Sequence, residues 1–334
     1  MKTISLSCFS LFLVSCASLQ FNLEEEQQLP SKAHARGLSF QNAILAITGY
    51  DGNYWFRLNS MGNDTISGMV NANDLRDVEV LSNNTIFFLN SGDNGLVYKY
   101  NILTNSLVQS LDTIGVFLDG IDFWDTEPFK GIVFGDPINN EFFIARTNSA
   151  KDSWEYLHNT PKPLPGEAGF AASGTNIHTI SDSVVYIGTG GCDTPRLLYS
   201  YNNGDTWDAK ITPMKGGPTH GIYSLYFWNT HQGIIIGGSY KDSTDNENMC
   251  FYTEDGGESW KNRSKGLPGY CSCVAAFENL TVVTGRNGTY FSLNYGKTWK
   301  HLTENPYYSC VVTQEKIYLS GKGGKYAIYS YSLG

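Results

Sequence analysis

The side chains best suited to chemistry in this sequence are four carboxylates between residues 119 and 167. A pair of carboxylates facing each other across a cleft can cleave a glycosidic bond, one acting as acid and the other as base or nucleophile. The same side chains can instead hold turns, because a carboxylate accepts backbone N–H groups close to it in sequence. The residues on which both interpretations rest are Asp119, Asp122, Asp136 and Glu167.

A set of arginines could bring positive charge to the same place. Arg36, Arg76 and Arg196 each stand beside an apolar run or a glycine turn, at comparable places in the repeated pattern described below. If they converge with the carboxylates, they form a rim of mixed charge that could bind a polar ligand. Tyr240, which follows the run "GIIIGGS", is a further candidate for this rim.

Other kinds of site find little support in the sequence. The six histidines are scattered, without the spacing of zinc ligands. The glycines of "GTGG" at 188–191 are not followed by a helical pattern, which phosphate binding needs. We therefore predict neither a metal nor a cofactor, and the sequence favours a binding protein over an enzyme.

The composition is typical of many short strands joined by tight turns. Of 334 residues, 35 are glycine, 21 tyrosine and 18 phenylalanine, while 16% are charged. The formal net charge of −9 argues against nucleic acid as a partner, because nucleic acid needs a basic face. It also argues against electrostatic docking on anionic lipid.

The first residues indicate export. A lysine precedes an apolar run from Ile4 to Val14 that is too short to span a membrane, so residues 1–15 are predicted to be a signal peptide. The run ends in "LVSC", which resembles a bacterial lipobox and would make Cys16 the lipidated first residue. The alternative is ordinary cleavage near Ala17 and secretion. The favoured location is the bacterial cell envelope, with membrane contact through the lipid anchor only.

Five of the seven cysteines lie beyond Cys16. An odd number at irregular spacing does not make a disulfide framework. Cys271 and Cys273 are two apart on a predicted strand and so face the same side, but no further donors stand near them to hold a metal. We interpret all five as buried free thiols.

A short motif recurs three times in the second half of the chain. "YSYNNGDTW" (199–207), "YTEDGGESW" (252–260) and "FSLNYGKTW" (291–299) share the form Ser/Thr-x-Asp/Asn-x-Gly-x-Ser/Thr-Trp. Apolar runs and glycine turns precede each copy, and units of about 40–50 residues are typical of a β-propeller. Residues 35–334 divide into seven such units, so the predicted fold is an all-β, seven-bladed β-propeller.

The last of these units lacks an obvious fourth strand. We predict that residues near 21–34 supply it and so close the ring. These residues belong to a polar segment, 16–34, whose stretch "LEEEQQLPSK" also suits a tether between membrane and domain.

The recurring motif is predicted to be structural. Asp255 would accept backbone N–H groups in a turn, Gly257 would permit a positive φ, and Trp260 would bury its ring between blades. Asn202 and Asn294 stand in the place of Asp255 without its charge, which suits a scaffold better than an acid. The full structural set is Asn202, Gly204, Trp207, Asp255, Gly257, Trp260, Asn294, Gly296 and Trp299.

The motif resembles the Asp-box, or BNR repeat, and phrases outside it extend the resemblance. "RGLSF", "FLDGIDFWD", "GIVFGDP", "LPGEAGFAASGT" and "GIIIGGSY" are similar to WD40/YVTN/BNR-like propellers of the photosystem II stability/assembly factor-like family. The resemblance covers about residues 35–334 and implies a binding platform or assembly factor that holds protein partners on an arginine-rich channel face. Relatives have Gly-Tyr-Arg-Ser where this chain has Gly269-Tyr270-Cys271-Ser272, so one basic group of that face is missing.

Sialidases share the Asp-box, and that resemblance implies a tyrosine nucleophile, an aspartate acid/base and three arginines on the sugar carboxylate. No Tyr–Glu pair can be assigned here, and the Arg-Ile-Pro phrase of sialidases is absent. The sequence therefore favours an exported, monomeric, non-catalytic propeller that binds a protein or glycan through its channel face. The alternative is a glycoside hydrolase, sialidase-like or with two carboxylates, at the same channel mouth.

Overall fold

The chain folds into a ring of β-sheets. The structure is a computed structural model and describes residues 19–59, 64–124, 129–148 and 153–333. Within these residues there are seven antiparallel sheets of four strands each, together with a short 3₁₀ helix at Lys322–Gly324. The predicted all-β, seven-bladed propeller is therefore confirmed.

Blades 1 to 3 contain strands β2 to β13, each blade running from its inner to its outer strand. Blade 1 comprises β2 (Ala35–Gln41), β3 (Ile44–Gly49), β4 (Asn53–Leu58) and β5 (Asp64–Met69). Blade 2 comprises β6 (Leu75–Val80), β7 (Thr85–Asn90), β8 (Leu96–Asn101) and β9 (Ser106–Asp112). Blade 3 comprises β10 (Leu118–Trp124), β11 (Lys130–Ile138), β12 (Glu141–Asn148) and β13 (Ser153–Tyr156).

Blades 4 to 7 continue the ring. Blade 4 comprises β14 (Ile177–Ile180), β15 (Val184–Gly188), β16 (Arg196–Ser200) and β17 (Asp208–Ile211). Blade 5 comprises β18 (His220–Phe227), β19 (Gly233–Ser239), β20 (Cys250–Thr253) and β21 (Lys261–Asn262). Blade 6 comprises β22 (Cys273–Phe277), β23 (Leu280–Gly285), β24 (Gly288–Ser292) and β25 (Lys300–Thr303). Blade 7 comprises β26 (Tyr307–Val312), β27 (Lys316–Gly321), β28 (Lys325–Leu333) and β1 (Leu19–Gln28).

The N-terminal strand closes this ring. β1 pairs antiparallel with β28 as the outer strand of blade 7. Glu25 of this strand forms an ion pair with Arg57 of blade 1 at 2.8 Å and accepts the hydroxyl proton of Tyr326. The first strand of the described chain thus joins the last blade to the first.

The acidic stretch at the start of the described chain is part of a blade. The interpretation of "LEEEQQ" as a tether is therefore wrong for those residues, because they pair with β28. Residues 1–18, with the predicted signal peptide and Cys16, lie outside the described residues.

Burial decreases from the middle of each blade to its outer edge. The second strands β3 and β7 are buried at every residue, because each sheet packs between two neighbours. The outer strands β5 and β9 are exposed at most positions. Apolar clusters therefore form between blades, as where Leu89 of blade 2 meets Ile121 of blade 3.

Polar side chains on the inner strands bind the next blade. Each accepts a backbone N–H from the neighbouring inner strand, whose channel-facing edge would otherwise be unpaired. In the described residues these acceptors are Ser39, Asp77, Asp122, Ser224 and Cys273, which bind the N–H groups of Val80, Ile121, Thr179, Val274 and Cys310 at 3.2, 2.7, 2.6, 2.9 and 3.3 Å.

The three motif turns share one hydrogen-bond pattern. Asp255 accepts the backbone N–H of Ser259 at 2.9 Å and its hydroxyl proton at 2.5 Å, and Gly257 lies at φ +88°. Asn202 and Asn294 accept the N–H of the equivalent threonines at 2.9 Å. The amide oxygen therefore replaces the carboxylate in two of these turns without loss of the backbone bond.

The motif tryptophans pack between neighbouring blades. Trp207 joins the cluster between blades 3 and 4, Trp260 the one between blades 4 and 5, and Trp299 the one between blades 5 and 6. Trp207 also donates its indole N–H to the carbonyl of Gly204 at 2.9 Å. Each turn is thus anchored in an apolar interface.

Candidate functional site

A cavity of about 350 Å³ opens at one end of the central channel. Its walls come from the first residues of inner strands and from the loops next to them. Widely separated parts of the sequence therefore meet there. We call this cavity the arginine bowl. The described residues that line it are Arg36, Arg76, Phe117, Gly169, Phe170, Ala171, Ala172, Tyr223, Tyr240, Tyr270 and Arg286.

Arg36 is held firmly in the wall of the bowl. It donates to the Tyr50 hydroxyl at 3.2 Å and to the Ala172 carbonyl at 3.1 Å. Its guanidinium carbon lies 5.4 Å from the ring centre of Tyr50 and 4.8 Å from that of Tyr308, within cation–π range. Burial opposes the charge, but Tyr50 and Asp74 outweigh it and raise the pKa of Arg36.

Asp74 connects two of the arginines. Arg76 Nε lies 2.7 Å from Asp74 Oδ2, and Arg36 Nε lies 3.8 Å from the same oxygen. Asp74 is buried, and that burial raises its pKa even though both guanidiniums act to lower it. Arg76 also donates to the Ala171 carbonyl at 2.9 Å, so its side chain has a fixed direction.

Arg286 completes the cationic set. It donates to the Tyr240 carbonyl at 2.8 Å, and no acidic side chain of the described residues forms an ion pair with it. The field of Arg36, Arg286 and Arg76 acts on the Tyr270 hydroxyl, whose pKa burial nevertheless raises. Three guanidiniums therefore meet one carboxylate in the described part of the bowl, which leaves an excess of positive charge.

Aromatic rings form one side of the bowl. Phe170 and Tyr223 stack in parallel with their centres 4.2 Å apart, and Tyr270 meets Tyr223 edge-on at 4.9 Å. Tyr240 stands at the rim, where 38% of it is exposed. A ligand would thus meet flat apolar surfaces beside the charged groups.

The loop at 168–174 supports the bowl from below. Gly169 donates its N–H to Asp136 Oδ1 at 3.0 Å, and Ser173 donates its hydroxyl proton to the Ser272 carbonyl at 2.8 Å. A Cβ at Gly169 would clash with the Asp119 carboxyl group, so the close approach requires glycine. The loop carbonyls that bind Arg36 and Arg76 are therefore held in place.

Of the candidate carboxylates, Asp122 and Asp136 bind backbone N–H groups, and Asp119 is buried. Asp119 is completely buried, and burial together with the charge of Asp136 raises its pKa well above the usual range. Asp136 holds the loop through Gly169, and Asp122 holds the backbone of blade 4 at Thr179. We find that none of the three lines the described bowl.

Glu167 and Arg196 form a separate buried pair. Arg196 Nη2 lies 2.5 Å from Glu167 Oε2, and Arg196 Nε lies 2.9 Å from Oε1. Glu167 also accepts the Leu164 N–H at 2.7 Å and the Thr189 hydroxyl proton at 2.6 Å. Arg196 stands on the third strand of its blade, so it lies further from the channel than Arg36 and Arg76 and is not among the described residues of the bowl.

The structure brings together part of the predicted site. Arg36, Arg76 and Tyr240 line the bowl, whereas Arg196 does not converge with them. The sequence interpretation missed Arg286, although a signal was available: the residue that directly follows the second strand stands at the channel end in several blades. Tyr50, Tyr240 and Arg286 all occupy this position.

The described residues show few features of other site types. They contain no group of three or more histidine, cysteine or acidic residues that could hold a metal ion. All five cysteines among them are buried and unpaired. In this part of the chain, no helix has the length and hydropathy of a membrane span.

The chain is similar in structure to known propellers. It matches a chain in "Structure of Dos1 propeller" over 89% of its own length and 78% of that chain, with a TM-score of 0.60 and 14% identity. A chain in "Crystal Structure of Mitotic Checkpoint Complex" matches over 99% of this chain and 98% of that one, with a TM-score of 0.63 and 9% identity. No family model and no curated protein matches the sequence.

At these identities the similarity establishes the fold alone. The chain is a β-propeller. Because 1244 solved chains match, the fold does not select a function, and the site has to do so. No match confirms membership in the Asp-box or photosystem II factor-like family, which stays a prediction.

Proposed function

We propose that this protein is a non-catalytic binding or assembly factor whose arginine bowl receives carboxylate groups of an acidic partner protein. The observation that carries the proposal is the excess of guanidinium groups, with Arg286 free of any acidic partner in the described residues. Guanidinium groups bind carboxylates through paired, charge-assisted hydrogen bonds. The neighbour solved within the Mitotic Checkpoint Complex supports the proposal as an example of this fold in an assembly.

The geometry favours binding over hydrolysis. A two-carboxylate glycosidase needs two acids facing each other across an open cleft, roughly 5–10 Å apart. Asp119, Asp122 and Asp136 are instead buried or bonded to backbone, and Glu167 is paired with Arg196. The described bowl therefore offers no such pair of acids.

An acidic glycan is the second candidate ligand. The partly exposed ring of Phe170, which stacks on the buried Tyr223, and the exposed ring of Tyr240 offer surfaces on which a sugar could lie, beside arginines that could bind its carboxylate. Sialyllactose and glucuronic acid, observed by ligand-detected NMR, test this candidate. Absence of binding at millimolar sugar would remove it and leave the protein partner.

The location is part of the same proposal. We propose that the protein is exported and held at the bacterial envelope as a monomer through lipidated Cys16, as the "LVSC" sequence suggests. Expression with labelled palmitate tests the anchor, because the label should enter the wild type and not Cys16→Ser. Incorporation into neither protein would favour ordinary secretion.

The binding proposal is tested with fluorescein-labelled hexaglutamate, with hexalysine as the probe of opposite charge. The wild type should bind hexaglutamate more tightly, and Arg76→Gln and Arg286→Gln should each weaken that binding about tenfold. Arg146→Gln removes an equal charge from an arginine of blade 3 that is paired with Asp205, and serves as the control. Equal binding of the two peptides, or bowl variants that bind like the control, would overturn the proposal.

A further inference from the structure

A second cavity lies beside the arginine bowl on the same end of the propeller. It has a volume of about 420 Å³ and lies between the linker after β1 and the strands of blade 1. The two cavities share a wall: Ala35 lines this groove and Arg36 lines the bowl, while Gly49 lines the groove and Tyr50 binds Arg36. We call this second cavity the blade 1 groove.

The blade 1 groove is mainly apolar. Leu29, Ala33 and Ala35 contribute the side of the linker, and Met69 at the edge is 68% exposed. Methionine has a flexible side chain that adapts to different partners, so Met69 can extend the apolar surface of the cavity. The cavity volume falls within the usual range for ligand sites.

One polar group in the groove has no partner among the described residues. The indole N–H of Trp55, on the face of blade 1 that packs toward blade 7, forms no hydrogen bond there. The Tyr54 hydroxyl also lacks a hydrogen bond with the described residues, but its ring packs on the opposite face of blade 1, against blade 2. The indole N–H of Trp55 could donate to a backbone carbonyl of an extended ligand.

The groove is preformed and has a basic border. Leu29 donates its N–H to the Gly324 carbonyl at 2.8 Å, and Gly323 donates to His34 Nδ1 at 3.2 Å, so the linker is tied to blade 7. Burial, together with the charges of Arg36 and Lys322, lowers the pKa of His34. Arg36 stands in the wall between the groove and the bowl, and an acidic ligand could lie across its positive charge.

We propose that the two cavities bind one extended partner segment, which places an acidic side chain in the arginine bowl and a large apolar side chain in the blade 1 groove. This inference rests on the proposed function and specifies its partner. Charge complementarity selects the acidic residue, and the apolar lining next to it selects the second. The segment lies across the wall formed by the first residues of β2.

Peptides of equal charge test the proposal. Each parent is a labelled glutamate-rich peptide of about ten residues with a single serine, and the parents differ in the position of that serine. Each parent is compared with a second peptide in which leucine replaces the serine. Fluorescence polarisation should show that leucine at one or two adjacent positions tightens binding about tenfold, the order expected for burying one apolar side chain. Leucine at other positions should have little effect.

Two variants locate the effect in the groove. Met69→Gln removes an apolar contact without adding charge, and Ala33→Trp fills the cavity. Ile211→Gln is the matched control, because Ile211 is 69% exposed and ends the outer strand of blade 4 as Met69 ends that of blade 1. The groove variants should abolish the gain from leucine and leave binding of the serine parents unchanged, and the control should change neither.

The outcomes separate this inference from the proposed function. If leucine improves binding at no position, or if the groove variants keep the gain, the inference is wrong while the bowl still binds acidic peptides. If the wild type binds no acidic peptide of the panel, the proposed function fails and the inference fails with it.

Discussion

Arg76 binds Asp74 through a contact of 2.7 Å between Arg76 Nε and Asp74 Oδ2, so the acid beside the bowl is already engaged by one of the bowl's own arginines. Arg36 approaches the same oxygen at 3.8 Å. The carboxylate therefore fixes the spacing of two guanidiniums without neutralising the third, Arg286. Such a site is organised before the ligand arrives, which reduces the entropy cost of binding.

Replacing Asp74 by asparagine should strengthen the binding of acidic peptides. The amide side chain would keep an oxygen for Arg76 Nε and remove the negative charge that is paired with Arg76 and Arg36, so hexaglutamate should bind about fivefold more tightly. Because burial already disfavours the charged form of Asp74, the free energy of unfolding should change by less than about 1 kcal/mol. Fluorescence polarisation and urea denaturation measure the two quantities.

Asp182→Asn is the control for this substitution, since Asp182 is an exposed turn residue of blade 4. It should leave hexaglutamate binding unchanged. Weaker binding by Asp74→Asn than by this control would mean that the bowl depends on the charge of Asp74 to hold its arginines.

Removing Glu167 should destabilise the fold without affecting the bowl. The carboxylate is buried and binds Arg196 through two contacts, so Glu167→Ala leaves a buried guanidinium without its partner. We expect the free energy of unfolding to fall by about 3–5 kcal/mol. Hexaglutamate binding at low temperature, where the variant is folded, should equal that of the wild type.

The pair of Lys210 and Glu258, in which only the acid is exposed, provides the comparison for Glu167. Its charged atoms lie 2.9 Å apart, but Glu258 is largely in solvent, so Glu258→Ala should cost less than about 1 kcal/mol. Equal effects of the two substitutions in urea denaturation would contradict the structural role assigned to Glu167.

The fold was predictable because its signals are local and repeated. The motif around Asp255 specifies a turn through its own hydrogen bonds, and Trp260 specifies the packing of that turn against the next blade. Each copy of the motif carries this information within a few residues. Three copies of this motif, within seven units of apolar runs and glycine turns, define the ring.

The composition of the bowl was harder to predict, because it depends on how far each residue lies from the axis of the propeller. Arg196 and Arg286 both lie near glycine turns, yet Arg196 begins a third strand and Arg286 follows a second strand that ends at the channel mouth. Sequence spacing alone does not show which glycine turn faces the axis. Likewise, the sequence around Asp122 does not distinguish an acid in a cleft from an acid that binds backbone. The hydrogen bond from the Thr179 N–H to Asp122 makes this distinction.

The motif aspartate should be replaceable by asparagine but not by alanine. Asn202 and Asn294 make the equivalent backbone bonds, so Asp255→Asn should change the free energy of unfolding by less than about 0.5 kcal/mol at neutral pH. Asp255→Ala loses the bonds to Ser259 and should cost about 1–2 kcal/mol. Urea denaturation of the two variants decides this, and equal losses in both would show that the charge is required.

Asp122 should make the protein less stable as the pH rises toward neutrality. Burial raises the pKa of this carboxyl group to about 7, although the N–H groups of Thr179 and Phe123 act to lower it. Since the folded pKa lies above the ordinary value of 3.8, the folded state binds the proton more tightly, and the stability present at low pH is lost between about pH 4 and 7. Asp77 and Glu79, whose pKa values burial also raises, add to the same trend.

Asp122→Asn should therefore flatten the dependence of stability on pH between 5 and 8. The slope should decrease by at most about 1.4 kcal/mol per pH unit, the contribution of one proton. Asp255→Asn is the control, because hydrogen bonds from Ser259 lower the pKa of Asp255 to about 2 and its titration lies outside this range. Urea denaturation at four pH values measures the slopes, and an unchanged slope in Asp122→Asn would show that this carboxyl group stays ionised in the folded protein across the whole range.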